Sequence, residues 1–144
     1  VKTFVAVRDL AAKAPVDATV RGGSMAPLFK DGDRVRIARA RLYLPGDVVA
    51  FRADDGRIVA HRLLGYRLHH GRLAGVTRGD AVSQPDPPVP FGQLLGRVIS
   101  HSRGQEKNGS VPLVPWSARL GAVAAFVGWL GRRVVQRIVR RWAR

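Results

Sequence analysis

The sequence predicts a mainly β fold, a small barrel or sandwich, carrying a C-terminal amphipathic helix. Two patterns carry that prediction. Short β-prone runs recur between turn signals through the first hundred residues, at the spacing of small all-β domains. Residues 117–144 instead repeat apolar side chains every three or four positions, as a helix does. The implied division is a β domain over 1–100, a linker over 101–116 and a basic amphipathic helix over 117–144.

The elements follow in order. Val1–Ala12 reads as a short helix with Phe4, Val7, Leu10 and Ala11 on one side, ended by Pro15. Strands are expected at Ala18–Arg21, Arg34–Ala38, Asp47–Arg52, Arg57–Arg67, Arg72–Arg78 and Gly92–Ser100. Arg34-Val35-Arg36-Ile37 alternates as a half-buried strand does. Asp31-Gly32-Asp33, Pro45-Gly46-Asp47, Asp54-Asp55-Gly56 and His70-Gly71 are turn signals. Pro85-Asp86-Pro87-Pro88 is excluded from a central strand, because proline has no N–H to donate. His101–Ser110 is polar and reads as an exposed connection. The final helix spans about Ser117–Ala143, with Ser117 as its N-cap. It is apolar almost all round from Leu120 to Gly131 and strongly amphipathic beyond.

Composition narrows the function classes. The chain has 144 residues, 46% hydrophobic and 24% charged, which fits one globular domain with a real core. It has no cysteine, which excludes disulfides, cysteine nucleophiles and thiolate metal sites. The four histidines are too scattered for a zinc cage, and no cofactor or metal is implied. The net charge of +15 favours anionic partners. Seven of the 21 arginines, and no acid, lie in residues 117–144. The rest of the chain is only moderately basic.

Three groups of residues are candidates for chemistry. Gly22-Gly23-Ser24-Met25-Ala26-Pro27 follows a predicted strand, and two glycines allow a serine hydroxyl to project into a cleft. A serine needs a neighbouring base to become a nucleophile. His61, in the strand-like run Ile58–Leu64, is the candidate base. A histidine base works best when a carboxylate holds its other nitrogen. Asp80 and Asp86 both follow the 72–78 strand. Each group also has a plainer reading: Gly-Gly-Ser as a turn, His61 as a partly buried histidine bonded to backbone, the two aspartates as loop caps.

The order and spacing of these groups resemble the serine peptidases of the signal peptidase I and LexA-like superfamily. Gly23-Ser24-Met25-Ala26-Pro27 resembles the nucleophile box. Asp31-Gly32-Asp33-Arg34-Val35 and Gly46-Asp47-Val48-Val49-Ala50-Phe51 resemble the two boxes that follow it. Ile58-Val59-Ala60-His61-Arg62 resembles the box of the general base, Thr77-Arg78-Gly79-Asp80 with Asp86 the acidic box, and Gly96-Arg97-Val98 the closing strand. The resemblance spans residues 23–98, about half of the chain. It implies a small signal-peptidase-like β barrel or sandwich. Histidine rather than lysine at position 61 is similar to the endoplasmic-reticulum, archaeal and sporulation-type enzymes. The resemblance therefore implies a Ser24–His61 pair, with Asp86 the better candidate to orient His61 and Asp80 in a supporting role. It also implies cleavage of extended segments after small residues.

Two departures stand out. The residue two before the nucleophile is often serine in the family and helps hold the oxyanion; here it is Gly22, leaving the Ser24 N–H. The family's N-terminal membrane anchor is missing from this sequence.

The tail has three readings. A span over Leu113–Gly131 would be about 28 Å long, near the ~30 Å of a bilayer core, but includes Pro115 and Arg119. An interfacial helix on an anionic membrane surface fits better, with arginines on one face and Trp129 and Trp142 as anchors. The third reading is a helix packed on the domain. If the N-terminus is complete, the expectation is a membrane-associated enzyme on the cytosolic face; an upstream anchor would place the site outside. Sequence-specific nucleic-acid binding is not expected, because the arginine tail lacks base-reading polar residues.

The resulting expectation is a serine endopeptidase acting on a peptide or protein precursor. Two alternatives compete with it. One is an inactive module of the same fold that binds a peptide or partner. The other is a basic membrane- or nucleic-acid-binding protein.

Overall fold

The computed structural model describes residues 2–103, 109–110 and 116–142. Helix α1 (Lys2–Lys13) lays Phe4 and Ala11 into the core. Leu10, expected on the same side, is exposed, because it lies well round the helix from Phe4 and Ala11.

The strands are β1 (Val16–Thr19), β2 (Arg34–Ala38), β3 (Val48–Arg52), β4 (Ile58–His69), β5 (Arg72–Arg78), β6 (Val89–Pro90), β7 (Leu94–Ser102) and β8 (Gly109–Ser110). Seven of them form one curled antiparallel sheet in the order β1-β2-β7-β3-β4-β5-β6, and β8 pairs with β7 off that path. The mainly β, barrel-like class expected from the sequence is the class observed.

Boundaries differ from expectation where side chains or loops capture the backbone. β1 begins and ends two residues early, because beyond Thr19 the Val20 N–H donates to the Asp33 carbonyl. β7 begins after a 3-10 turn at Phe91–Gln93 and runs to Ser102, two residues into the segment read as a connection. β6 has no counterpart among the expected strands. It is a two-residue edge strand that ends on Pro90, where the missing N–H costs no central ladder bond.

The two faces of the sheet carry two apolar clusters. Phe29, Val35, Ile37, Val48, Ala50 and Leu95 pack on one side with α1. Val49, Phe51, Leu63, Val89, Leu94 and Tyr43 pack on the other. Alternate residues of β3 thus serve opposite clusters, as the period of two requires. Each large side chain buried here contributes roughly 1.5–3 kcal/mol.

β4 is the long element that organises the site. Its first part, Ile58–Arg62, pairs with β3, while its pairing with β5 begins only at Arg62. The second edge of Ile58–His61 is therefore left open.

Helix α2 (Trp116–Trp142) begins one residue before the expected start. Its described side chains pack against β4: Ala122 is buried, and Phe126 lies against Gly65. Arg119 donates to the Asp47 carboxylate at 3.1 Å and to the Pro45 carbonyl at 3.1 Å. The side chains of Arg133, Arg137, Arg140, Arg141, Trp142 and Arg144 lie outside the described residues. The adjoining face of α2 exposes Leu120, Val123, Val127 and Leu130. Among the described residues, no helix is long and apolar enough to cross a membrane.

Candidate active site

Ser24 sits in a turn pinned by its neighbours. Met25 and Phe29 are buried in the core, and the Phe29 N–H donates to the Met25 carbonyl at 3.0 Å. On the other side, Gly22 has φ +82, a conformation that side chains rarely adopt. The Gly22 N–H donates to Asp31 Oδ1 at 2.8 Å. The glycine that departs from the family pattern is thus required by the backbone here. Among the described residues no group accepts the Ser24 N–H, which stays available to a developing oxyanion.

His61 lies on β4 opposite Val49 and is 8% exposed. Its ring meets the Phe51 ring edge-on, with centroids 6.1 Å apart. Its two nitrogens face two of the candidate residues. Nε2 is 3.0 Å from Ser24 Oγ, and Nδ1 is 2.7 Å from Asp86 Oδ2. A carboxylate at Nδ1 selects the tautomer with its proton there, so Nδ1–H donates to Asp86. Nε2 is then a lone pair aimed at the serine hydroxyl, which donates to it.

Asp86 is held in turn by Thr77. The Thr77 hydroxyl donates to Asp86 Oδ2 at 2.7 Å, and the Asp86 N–H donates to the Thr77 carbonyl at 2.8 Å. Thr77 is fully buried near the end of β5. The same oxygen that faces His61 therefore has a fixed second donor.

Asp80 is placed elsewhere. It accepts both arms of a fork from Arg62: Nε to Oδ1 at 2.7 Å and Nη2 to Oδ2 at 2.6 Å. Arg62 also donates to the Gly46 carbonyl at 2.8 Å. This ties the end of β5 to β4 and to the turn before β3. The following residues close on the Ser24 turn, where the Ala81 N–H donates to the Ser24 carbonyl at 2.9 Å.

The structure thus brings Ser24, His61 and Asp86 into one line and leaves Asp80 out of it. Sequence reasoning assigns no role to Thr77, Gly79 or Arg62. The signal for Thr77 is its position in the acidic box, but its partner lies across a loop.

A cavity of about 450 Å³ opens beside the serine, between β1 and the open edge of β4. Gly22, Gly23 and Ser24 border it, and Ile37, Ala50 and Ala60 supply apolar wall. A second cavity of about 360 Å³ also reaches His61, bounded by Phe51, Val59 and Val89.

Comparison with known proteins agrees with the fold. A family model described as Peptidase S24-like matches residues 9–79, a stretch that contains Ser24 and His61 and stops short of Asp80 and Asp86. No curated protein matches the chain. The match covers the Ser24 turn and the His61 strand of a curled β sheet, and it supports the LexA- and signal-peptidase-like serine peptidase superfamily for this chain.

Proposed function

We propose that the chain is a signal-peptidase-like serine endopeptidase that cleaves extended segments after small residues. The observation that carries this reading is the line Asp86–His61–Ser24, at 2.7 and 3.0 Å. Ser24 Oγ attacks the scissile carbonyl carbon while His61 Nε2 takes its proton. The Ser24 N–H donates to the resulting oxyanion. Collapse breaks the C–N bond, and His61 returns the proton to the leaving amine. His61 then deprotonates the water that hydrolyses the acyl-serine. Asp86 keeps the Nδ1–H tautomer and stabilises the imidazolium. Asp80 acts through Arg62 as a structural support.

The gap between β1 and the free edge of Ile58–His61 suits an extended substrate, which would add a strand there. The apolar wall beside Ser24 suits small side chains near the cut.

The test is direct. Ser24→Ala and His61→Ala should each abolish cleavage of a peptide with small residues one and three positions before the cut. Ser24 should also be labelled covalently by a serine-reactive probe. Full activity in either variant, or no labelling of Ser24, counts against the reading.

The tail reading extends the proposal. With Leu120, Val123, Val127 and Leu130 exposed on its outer face, α2 would lie in the interface of an anionic membrane rather than cross it. Co-sedimentation with anionic vesicles should be lost when residues 117–144 are removed. Binding that survives the truncation would overturn this reading.

A further inference from the structure

A third cavity lies away from the serine. It measures about 740 Å³ and opens between α2, the strands β4 and β5, and the loop of Ser83 to Pro88. Three arginines line it, each from a different element: Arg67 from β4, Arg78 from β5 and Arg132 from α2. Among the described residues, none of the three is paired with a carboxylate, whereas Arg36, Arg57, Arg62, Arg97, Arg103 and Arg119 all are. Arg67 is held by other means. Its guanidinium lies over the Trp129 ring, 5.8 Å from the centroid. A cation–π contact of this kind places the charge and consumes no N–H donor, so the donors of Arg67 remain for an anion.

The place of this cavity matters. Asp86, Pro87 and Pro88 form part of its wall, and the same three residues bound the second cavity that reaches His61. The Asp86 carboxylate is itself taken up by His61 and Thr77 on the other side of that wall. One loop therefore separates the arginines from the reacting groups. An extended chain passing from His61 through the second cavity would cross Pro87 and Pro88 to reach them, at about 3.3 Å per residue.

We propose that Arg67, Arg78 and Arg132 form an exosite for an acidic peptide segment, so that the enzyme favours substrates carrying Asp or Glu beyond the cleaved bond. Carboxylate chemistry suits the site because Arg forks bind carboxylates in two-point geometry, and three arginines from three elements, without a carboxylate partner among the described residues, line one concave space. Nucleic acid and lipid phosphate fit less well. The cavity faces the body of the protein, away from the exposed apolar face of α2. The inference about substrate class rests on the peptidase reading; the binding site does not.

The experiment separates the two. A hexaglutamate peptide with a neutral fluorophore is titrated by anisotropy into the full-length Ser24→Ala protein, with hexaglutamine as control. Arg78→Glu should weaken hexaglutamate binding by at least about tenfold, because it replaces a charge-assisted contact with repulsion. Arg67→Glu should act similarly. Arg41→Glu, a control remote from the cavity, should change it by less than about twofold. Arg78→Gln, with an unchanged melting curve, guards against misfolding. In the active protein, the ratio of kcat/KM for a Glu-extended to a Gln-extended substrate should fall about tenfold in Arg78→Gln, mostly through KM. Equal losses in the cavity and control variants would overturn the exosite, as would arginine-dependent binding of anionic vesicles without binding of hexaglutamate. Binding without any cleavage by the unmodified protein would leave the exosite and overturn the peptidase.

Discussion

Gly79 touches Ser24 so closely that a methyl group on it would stand 2.6 Å from the Ser24 carbonyl oxygen. The same methyl would stand 3.2 Å from His61 Nε2. No real side chain holds the first distance, and the atom in the way is backbone. Gly79→Ala must therefore shift either the nucleophile turn or the strand end that carries Thr77. Since misplacement by about 1 Å can cost ~100-fold in rate, kcat should fall on that order. The melting temperature should change far less. A Gly79→Ala enzyme with normal kcat would show that the turn has slack that this geometry does not allow.

Asp86 and Asp80 should separate cleanly in mutants. Asp86→Asn removes the charge that stabilises the imidazolium and lets His61 adopt the wrong tautomer, for a loss of up to ~10,000-fold in kcat. Thr77→Val deletes one of the two donors on Asp86 Oδ2 and should cost about 1 kcal/mol of positioning. Its kcat should fall with KM little changed, because the carboxylate facing His61 is held less firmly. Asp80→Asn loosens the Arg62 fork and should lower stability while keeping the shape of the pH–rate profile. Urea melts and pH–rate profiles of the three variants check this. The same loss of rate in all three would contradict the separation.

Stability should depend on acid through Asp33. The Arg103 guanidinium, aided by the Lys30 N–H, lowers this carboxyl from 3.8 to about 2. A depressed folded-state pKa means stability that is present above about pH 4 and lost as pH falls toward 2. Asp33→Asn should melt several degrees lower at pH 7, with the difference closing through that window. Arg103 is 48% exposed, so salt should also narrow the difference. A gap between the two proteins that stays constant from pH 7 to pH 2 would rule out this source.

The tail should come loose when Arg119 is removed. Asp47 is 1% exposed and keeps the Leu44 N–H at 2.9 Å and Arg97 at 3.5 Å after the loss of Arg119. Arg119→Ala should therefore cost about 2 kcal/mol, short of the ~3–5 kcal/mol of a buried charge left with one partner removed. Limited proteolysis should reach α2 faster in this variant while the β domain stays resistant. Unchanged proteolysis would mean that Phe126 and Ala122 hold the helix alone.

Much of this molecule is legible without its tertiary structure. Alternation in Arg34–Ile37, the His70-Gly71 turn and the periodicity after Ser117 are local patterns, and each produces the element expected. Ser24, His61 and the two aspartates stand out on residue type, order and spacing. The ends of β1 and β7 are not legible, because they depend on which distant carbonyl or strand captures the next N–H. Leu10 is misplaced on its helix for a simpler reason: a four-residue apolar set does not fix which flank the sheet covers.

By itself, then, the sequence determined the β class, the Ser24 turn, the His61 strand and the short list of acids. Tertiary structure decided among them. Asp80 and Asp86 lie six residues apart in one loop and have the same local chemistry. Their different places come from Arg62, which takes up Asp80, and from Thr77, whose backbone and hydroxyl turn Asp86 toward His61. The packing of the tail is open in the sequence for a related reason. A helix apolar all round does not say which side is covered. The face is chosen by contacts such as Arg119 with Asp47, whose partners stand 72 residues apart in the chain. Local pattern fixes what a segment is able to form; only the packed chain brings together the long-range charges that choose its neighbours.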